Sequence, residues 1–238
     1  MKALLLAGGI GSRISRHLGG KPKCTVSLGK ETLIEYTVKL LHKKGINEIA
    51  LTLGYKADVI KNTLKDLEKE CNIKYYFNPF FDVTNSIASA WFARDFFTKE
   101  DTIIMNGDVF LEASLVDDIL SEQKNPVLFS DETRKETADY KFKYTNNILE
   151  KYGKELAGDD ITGEYVGVAK LKANFISKFL ENMEEMIKTQ KHNVWWENIL
   201  YSLSDKQPIY VQDVKSKFWA EVDYIEDYER ILKFLDIR

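Results

Sequence analysis

Short apolar runs alternate with amphipathic stretches along most of the chain. Residues 3–6 have the length and composition of a buried strand. From Thr32, a natural helix N-cap, Leu33, Ile34, Val38, Leu40 and Leu41 recur on one broad face. That pattern stops near Gly45, after His42, Lys43 and Lys44, where cations oppose the helix dipole. Residues 46–53 read as a second strand, 57–70 as a helix and 73–77 as a third strand. Strands and helices in strict alternation with short links predict parallel crossovers. The expectation is an α/β fold with a doubly wound, mostly parallel sheet, whose ligands meet the carboxyl ends of its strands.

Further along, the pattern predicts a helix over 86–97, a strand over 101–105, a helix over 112–121 and a strand over 126–130. Residues 131–160 are charged and weakly periodic, which fits a hairpin excursion or a lid and assigns no chemistry. A strand pattern returns at 163–169. An amphipathic helix over 171–189 follows, with Phe175, Ile176, Phe179, Leu180, Met183, Met186 and Ile187 as a core stripe. A helix beginning at Trp195, a strand over 208–213 and a final helix over 225–235 complete the chain.

Composition narrows the function classes. With 44% hydrophobic and 30% charged residues, the chain is an ordinary globular protein. A net charge of −3 argues against a general nucleic-acid binder. No apolar run is long enough for a membrane helix, and the first one stops at Gly8, too early for a signal peptide. Cys24 and Cys71 lack metal spacing, and His17, His42 and His192 are scattered. A reduced, cytoplasmic setting is the plain expectation.

The chemistry begins where the first strand ends. Gly8-Gly9-Ile10-Gly11-Ser12-Arg13 leaves the backbone nearly bare, so its N–H groups can approach an anion. Arg13 and the rigid Lys21-Pro22-Lys23 turn add cations, which suits a polyphosphate. The dinucleotide fingerprint fails at Ile14, which stands where its third glycine belongs. The Walker pattern fails because Ser12-Arg13 follows Gly11. Asp108, just past a buried strand and a glycine, is placed to hold Mg²⁺. Asn85 either caps a helix or addresses a base edge, with Ser89 one turn on. Trp195 and Trp196 cannot both face inward, and a free tryptophan beside Glu197 would receive an organic cation. Asp223 either caps the last helix or supplies a second carboxylate.

Together these segments resemble the nucleotidyltransferases that activate sugar phosphates and phospho-alcohols, most of all the phosphocholine-type CTP cytidylyltransferases. The likeness is carried by L-A-G-G-x-G-S-R at 6–13 with K-P-K at 21–23, and by D-V-T-N-S-I-A-S at 82–89. It is carried further by G-D at 107–108, W-W-E-N at 195–198 and E-x-D-x-x-x-D-Y at 221–228. The resemblance implies that Arg13, Lys23, Asp108 and Asp223 are catalytic, the two aspartates sharing a Mg²⁺ cofactor. It implies that Leu6, Ala7, Gly8, Gly9, Gly11, Ser12, Gly54 and Gly107 surround the nucleotide. Thr84, Asn85 and Ser89 would line a cytosine pocket. Glu164, Trp196, Glu197 and Trp219 would meet the acceptor.

On this reading one domain holds a nucleotide-binding core (1–130), an acceptor-binding part (131–223) and a C-terminal helix (224–238). The implied reaction moves CMP from CTP to a small phosphorylated or phosphonate acceptor such as phosphocholine or 2-aminoethylphosphonate. A sugar-1-phosphate transferase using UTP, dTTP or GTP is the enzyme alternative, and a non-catalytic nucleotide-binding regulatory domain is the other. A homodimer through the C-terminal helix and the aromatics near Phe218 is an open expectation.

Overall fold

The computed structural model describes residues 1–11, 13–14 and 18–237. Ser12, expected at the nucleotide, lies outside the described residues. The strands are β1 (Lys2–Ala7), β2 (Glu48–Leu53), β3 (Asn72–Phe77), β4 (Thr102–Asn106), β5 (Val109–Leu111), β6 (Val127–Asp131), β7 (Lys141–Thr145), β8 (Ile148–Gly153), β9 (Gly163–Leu171), β10 (Tyr210–Asp213) and β11 (Trp219–Glu221). The helices are α1 (Leu33–Lys43), α2 (Ala57–Leu64), α3 (Ser86–Phe92), α4 (Ala113–Ser121), α5 (Ile176–Lys188), α6 (Asn198–Tyr201) and α7 (Ile225–Phe234).

Nine strands form one sheet in the order β3-β2-β1-β4-β9-β6-β10-β8-β7, and β5 pairs with β11 beside it. β1 runs parallel to β2 and β4, and β2 runs parallel to β3, as the first-half alternation predicts. The second half departs from that expectation. β9 is antiparallel to both β4 and β6, so the sheet is mixed. The reason is local: β7 and β8 form a hairpin, and no crossover helix separates β8 from β9. The hairpin turns on Asn146 and Asn147, both at positive φ, the conformation that a two-residue turn between twisted strands requires. The charged stretch 131–160 thus resolves into a hairpin excursion.

β1 shows why the centre of the sheet reads as an unbroken apolar run. Ala3, Leu5 and Ala7 face one core with Ile34 and Val38 of α1, Ile60 of α2 and Leu115 of α4. Leu4 and Leu6 face the opposite core with Ile87 of α3 and Phe179 of α5. α1 starts at a capping box between Thr32 and Glu35. Phe218 packs against the third core and stacks at 4.1 Å on Phe234 of α7, which is itself 45% exposed. No helix among the described residues is long and apolar enough to cross a membrane. The carboxyl ends of β1 and β4 and the start of β9 open on one side, and a cleft lies there.

Candidate active site

The cleft has a volume of about 530 Å³ and its lining divides into three zones. The first is the end of β1 and the loop that follows. Leu6, Ala7, Gly8, Gly9 and Gly11 line it, together with Asn78, Phe81, Thr84, Asn85 and Ser89 from the β3–α3 segment. Gly11 sits at φ +62°, and a Cβ there would come within 2.6 Å of the Lys23 side chain. Glycine is needed on both counts. Gly11→Ala is expected to lower turnover at least about tenfold, since backbone strain of roughly 1–2 kcal/mol adds to displacement of Lys23. Steady-state kinetics on a variant with native far-UV circular dichroism checks this.

The β3–α3 segment is pinned by buried Asn78, whose Nδ2 donates to Thr84 Oγ1 and Ser89 Oγ, both at 3.1 Å. Asn85 caps α3, its side-chain oxygen accepting from Ser86 N at 2.8 Å. Asn85 also lines the cleft, with its Nδ2 donating to the Asn193 carbonyl at 3.5 Å. Gly54 is not in the lining. It lies behind the loop, where a Cβ would meet the Gly8 carbonyl at 2.6 Å and Phe81 Cβ at 2.5 Å. Its role is close approach of β2 to the loop, which corrects its expected place at the nucleotide.

The middle zone is charged. Lys23 Nζ pairs with Asp223 Oδ1 and lies 3.4 Å from Asp108 Oδ2, and Arg13 Nη1 donates to Asp223 Oδ2 at 2.9 Å. Gly107 and Glu221 complete the zone. Burial opposes the Lys23 charge, but Asp108 and Asp223 more than offset it and raise its pKa. Burial raises the Asp108 pKa, with Lys23 pulling the other way. Glu221 is held well above the usual carboxylate range by burial and then by Asp108 and Asp223. Three acids therefore crowd around two cations. Cys24 is buried beside them, and burial pushes its thiol up, so it is no nucleophile.

The third zone joins Asp139 and Tyr140, just before β7, with Lys154, Tyr165, Trp195, Glu197 and Tyr201. Glu197 is buried and pushed up to about 7, chiefly by burial, while Tyr165 and Asn106 favour its ionised form. The Tyr165 and Tyr201 hydroxyls are buried at the same end, that of Tyr165 beside Glu197 and that of Tyr201 beside Tyr140. Because the folded-state pKa of Glu197 lies above its ordinary 4.5, ionising it costs stability, and stability falls as pH rises from about 4.5 to about 7. Glu197→Gln is expected to remove that slope, a difference of up to about 3 kcal/mol. Denaturant unfolding of both proteins at pH 4.5 and pH 8 reads it. An equal gap between them at both pH values would exclude a strained Glu197.

Three of the residues expected against the acceptor stand elsewhere. Trp196 is fully buried and its indole N–H donates to Asn106 Oδ1 at 3.0 Å, while Asn106 Nδ2 donates to Glu221 Oε1 at 3.1 Å. Trp195, 44% exposed, faces the cleft in its place. Glu164 is buried outside the cleft, where it accepts from Arg134 Nε and, at 2.8 Å, from Asp139 N. It anchors the segment that carries Asp139 and Tyr140. Trp219 is buried beneath Arg134, 5.6 Å from its ring, and donates to Asp131 Oδ2 at 2.8 Å.

The Trp196 placement was readable. Trp196, Ile199, Leu200 and Leu203 recur at helical spacing, and all four are buried. Glu221, two residues before Asp223, was visible as part of the closing motif. Asp139, Tyr140 and Lys154 carried no such signal, because only the hairpin brings them to the cleft.

A glycine loop, paired cations and convergent carboxylates at the carboxyl end of an α/β sheet define a phosphate-handling transferase cleft. The chain belongs to the nucleotidyl transferase family, whose model matches residues 2–138. Over nearly its full length it is similar to the CTP:phosphoglutamine cytidylyltransferase of Campylobacter jejuni, with 28% identity covering 96% of this chain and 98% of that one. It is likewise similar to the choline-phosphate cytidylyltransferase of Streptococcus pneumoniae, with 23% identity covering 99% and 98%. The fold matches the solved CTP:phosphocholine cytidylyltransferase of S. pneumoniae with a TM-score of 0.79, at 20% identity and 98% coverage of each chain. It also matches the inositol-1-phosphate CTP transferase of T. maritima, with a TM-score of 0.78, 20% identity and coverage of 98% and 94%. The family resemblance read from the motifs is borne out.

Proposed function

We propose that the protein transfers CMP from CTP to a small phosphorylated acceptor bearing an amino group, with release of pyrophosphate. The observation that carries this is the placement of Arg13, Lys23, Asp108 and Asp223 between the glycine loop and an acidic, aromatic end of the same cleft. The nucleotide lies along Leu6–Gly11, with its base toward Thr84, Asn85 and Ser89 and its phosphates toward Arg13 and Lys23. The preference for CTP is supported by the names of the two full-length relatives.

An oxygen of the acceptor phosphate attacks the α-phosphorus, a new P–O bond forms, and the bond to the β-phosphate oxygen breaks. The acceptor phosphate is already ionised, so no side chain needs to take a proton. Arg13 and Lys23 offset the charge that gathers at the α-phosphate, and positioning supplies the remainder. Asp108 and Asp223 already converge on one cation, the Lys23 ammonium. Two carboxylates beside a phosphate channel suit Mg²⁺, which prefers one or two such ligands with phosphate oxygens and water. Mg²⁺ held there would supply charge neutralisation and a template for the triphosphate.

The test is pyrophosphate release with Mg²⁺, crossing CTP, UTP, dTTP and GTP with phosphocholine, phosphoethanolamine, 2-aminoethylphosphonate and glucose 1-phosphate. Release with CTP and an amino acceptor is expected. Release with UTP or dTTP and the sugar phosphate would replace this reading with the sugar-phosphate one. Nucleotide binding with no turnover would mark a regulatory module.

A further inference from the structure

We propose that the acceptor is a zwitterion, a phosphorylated molecule whose far end carries a carboxylate as well as an ammonium group, and that Lys154 selects the carboxylate. This rests on the transferase reading above. At the far end of the cleft, Lys154 Nζ pairs with Asp139 Oδ2 at 2.7 Å and lies 5.8 Å from the centre of the Trp195 ring. The main chain beneath both residues is held. Glu164 accepts the Asp139 N–H at 2.8 Å, and Lys141 Nζ donates to the Lys154 carbonyl at 2.9 Å. Both side chains nevertheless remain part-exposed at the rim. An exposed ion pair on a fixed backbone contributes little to stability and is easily exchanged for new partners.

The exchange that costs least keeps every charge paired. A zwitterion offers its ammonium to Asp139 and Glu197 and its carboxylate to Lys154. A purely cationic end group would take Asp139 from Lys154 and place like charges together. Lys154 also occupies the Trp195 face that such a cation would use. A neutral sugar would offer no charge to either member of the Asp139–Lys154 pair.

The experiment compares kcat/KM for O-phosphoserine and phosphoethanolamine, which differ by one carboxylate, in the wild type and in Lys154→Met, with each of the four nucleotides. A wild-type preference for phosphoserine of about tenfold or more is expected, collapsing toward parity in Lys154→Met. The ratio between two acceptors cancels any loss of folded enzyme. Equal use of both, or a preference for phosphoethanolamine that Lys154→Met leaves unaltered, would overturn the zwitterion inference while CTP turnover keeps the transferase reading. If no acceptor turns over, that reading fails, and calorimetric binding of the same two compounds with CTP present decides this one. A phosphoserine preference lost in Lys154→Met supports it, and no preference overturns it.

Discussion

Replacing Asp108 with asparagine is expected to lower the rate of pyrophosphate release about 1000-fold without unfolding the protein. Asp108 follows β4 after a single glycine, and with Asp223 it draws Lys23 into the middle of the cleft. The loss removes one of two carboxylates able to share a cation at the reacting phosphates. Stability should not fall in step. Burial raises the Asp108 pKa, so its ionised form costs folding free energy above the ordinary carboxylate range, and a neutral amide removes that cost. Lys23 keeps Asp223 as its partner. A pyrophosphate assay beside a thermal unfolding curve checks both halves. Turnover within tenfold of the wild type would remove Asp108 from the chemistry.

The two adjacent tryptophans are expected to separate stability from acceptor binding. Trp196→Ala should cost about 3–5 kcal/mol, because it empties the largest fully buried side chain and releases Asn106 from its indole partner. Asn106 in turn holds Glu221, so the charged zone loosens as well. Trp195→Ala should leave the unfolding midpoint nearly unchanged, since its ring is 44% exposed. Its effect should fall on acceptor KM, roughly tenfold for the lost aromatic wall beside Tyr140. Denaturant unfolding and acceptor titrations on the same pair of variants test this. A large stability loss at Trp195, or a selective KM effect at Trp196, would reverse the assignment.

Much of the first half of the molecule was legible because local pattern and global environment agree there. Residues 3–6 are apolar throughout because both sheet faces are covered, and Gly8 to Gly11 are bare because a strand must end in a loop open to an anion. Thr32 and Glu35 announce α1 by their spacing alone. The expected place of Gly54 at the nucleotide failed for a tertiary reason. Its small size serves the approach of β2 to the Gly8 carbonyl, a contact between segments far apart in sequence.

The acceptor end shows where the chain's own order stopped being informative. Glu164 has the residue type and neighbourhood of a substrate contact, yet Arg134 and the Asp139 N–H claim its carboxylate. Trp219 is taken by Asp131 in the same way. Asp139, Tyr140 and Lys154 sit in a charged stretch with no useful periodicity, and they become a surface only when β7 pairs with β8 and β9. The sequence by itself determined the α/β class, the glycine loop, the cations and the two aspartates, because each rests on short-range spacing and backbone sterics. Only the tertiary structure decided which tryptophan faces the cleft, that the sheet is mixed, and which charges meet the acceptor. Those outcomes depend on long-range strand pairing and on competition among buried polar groups for partners, and neither is written in local order.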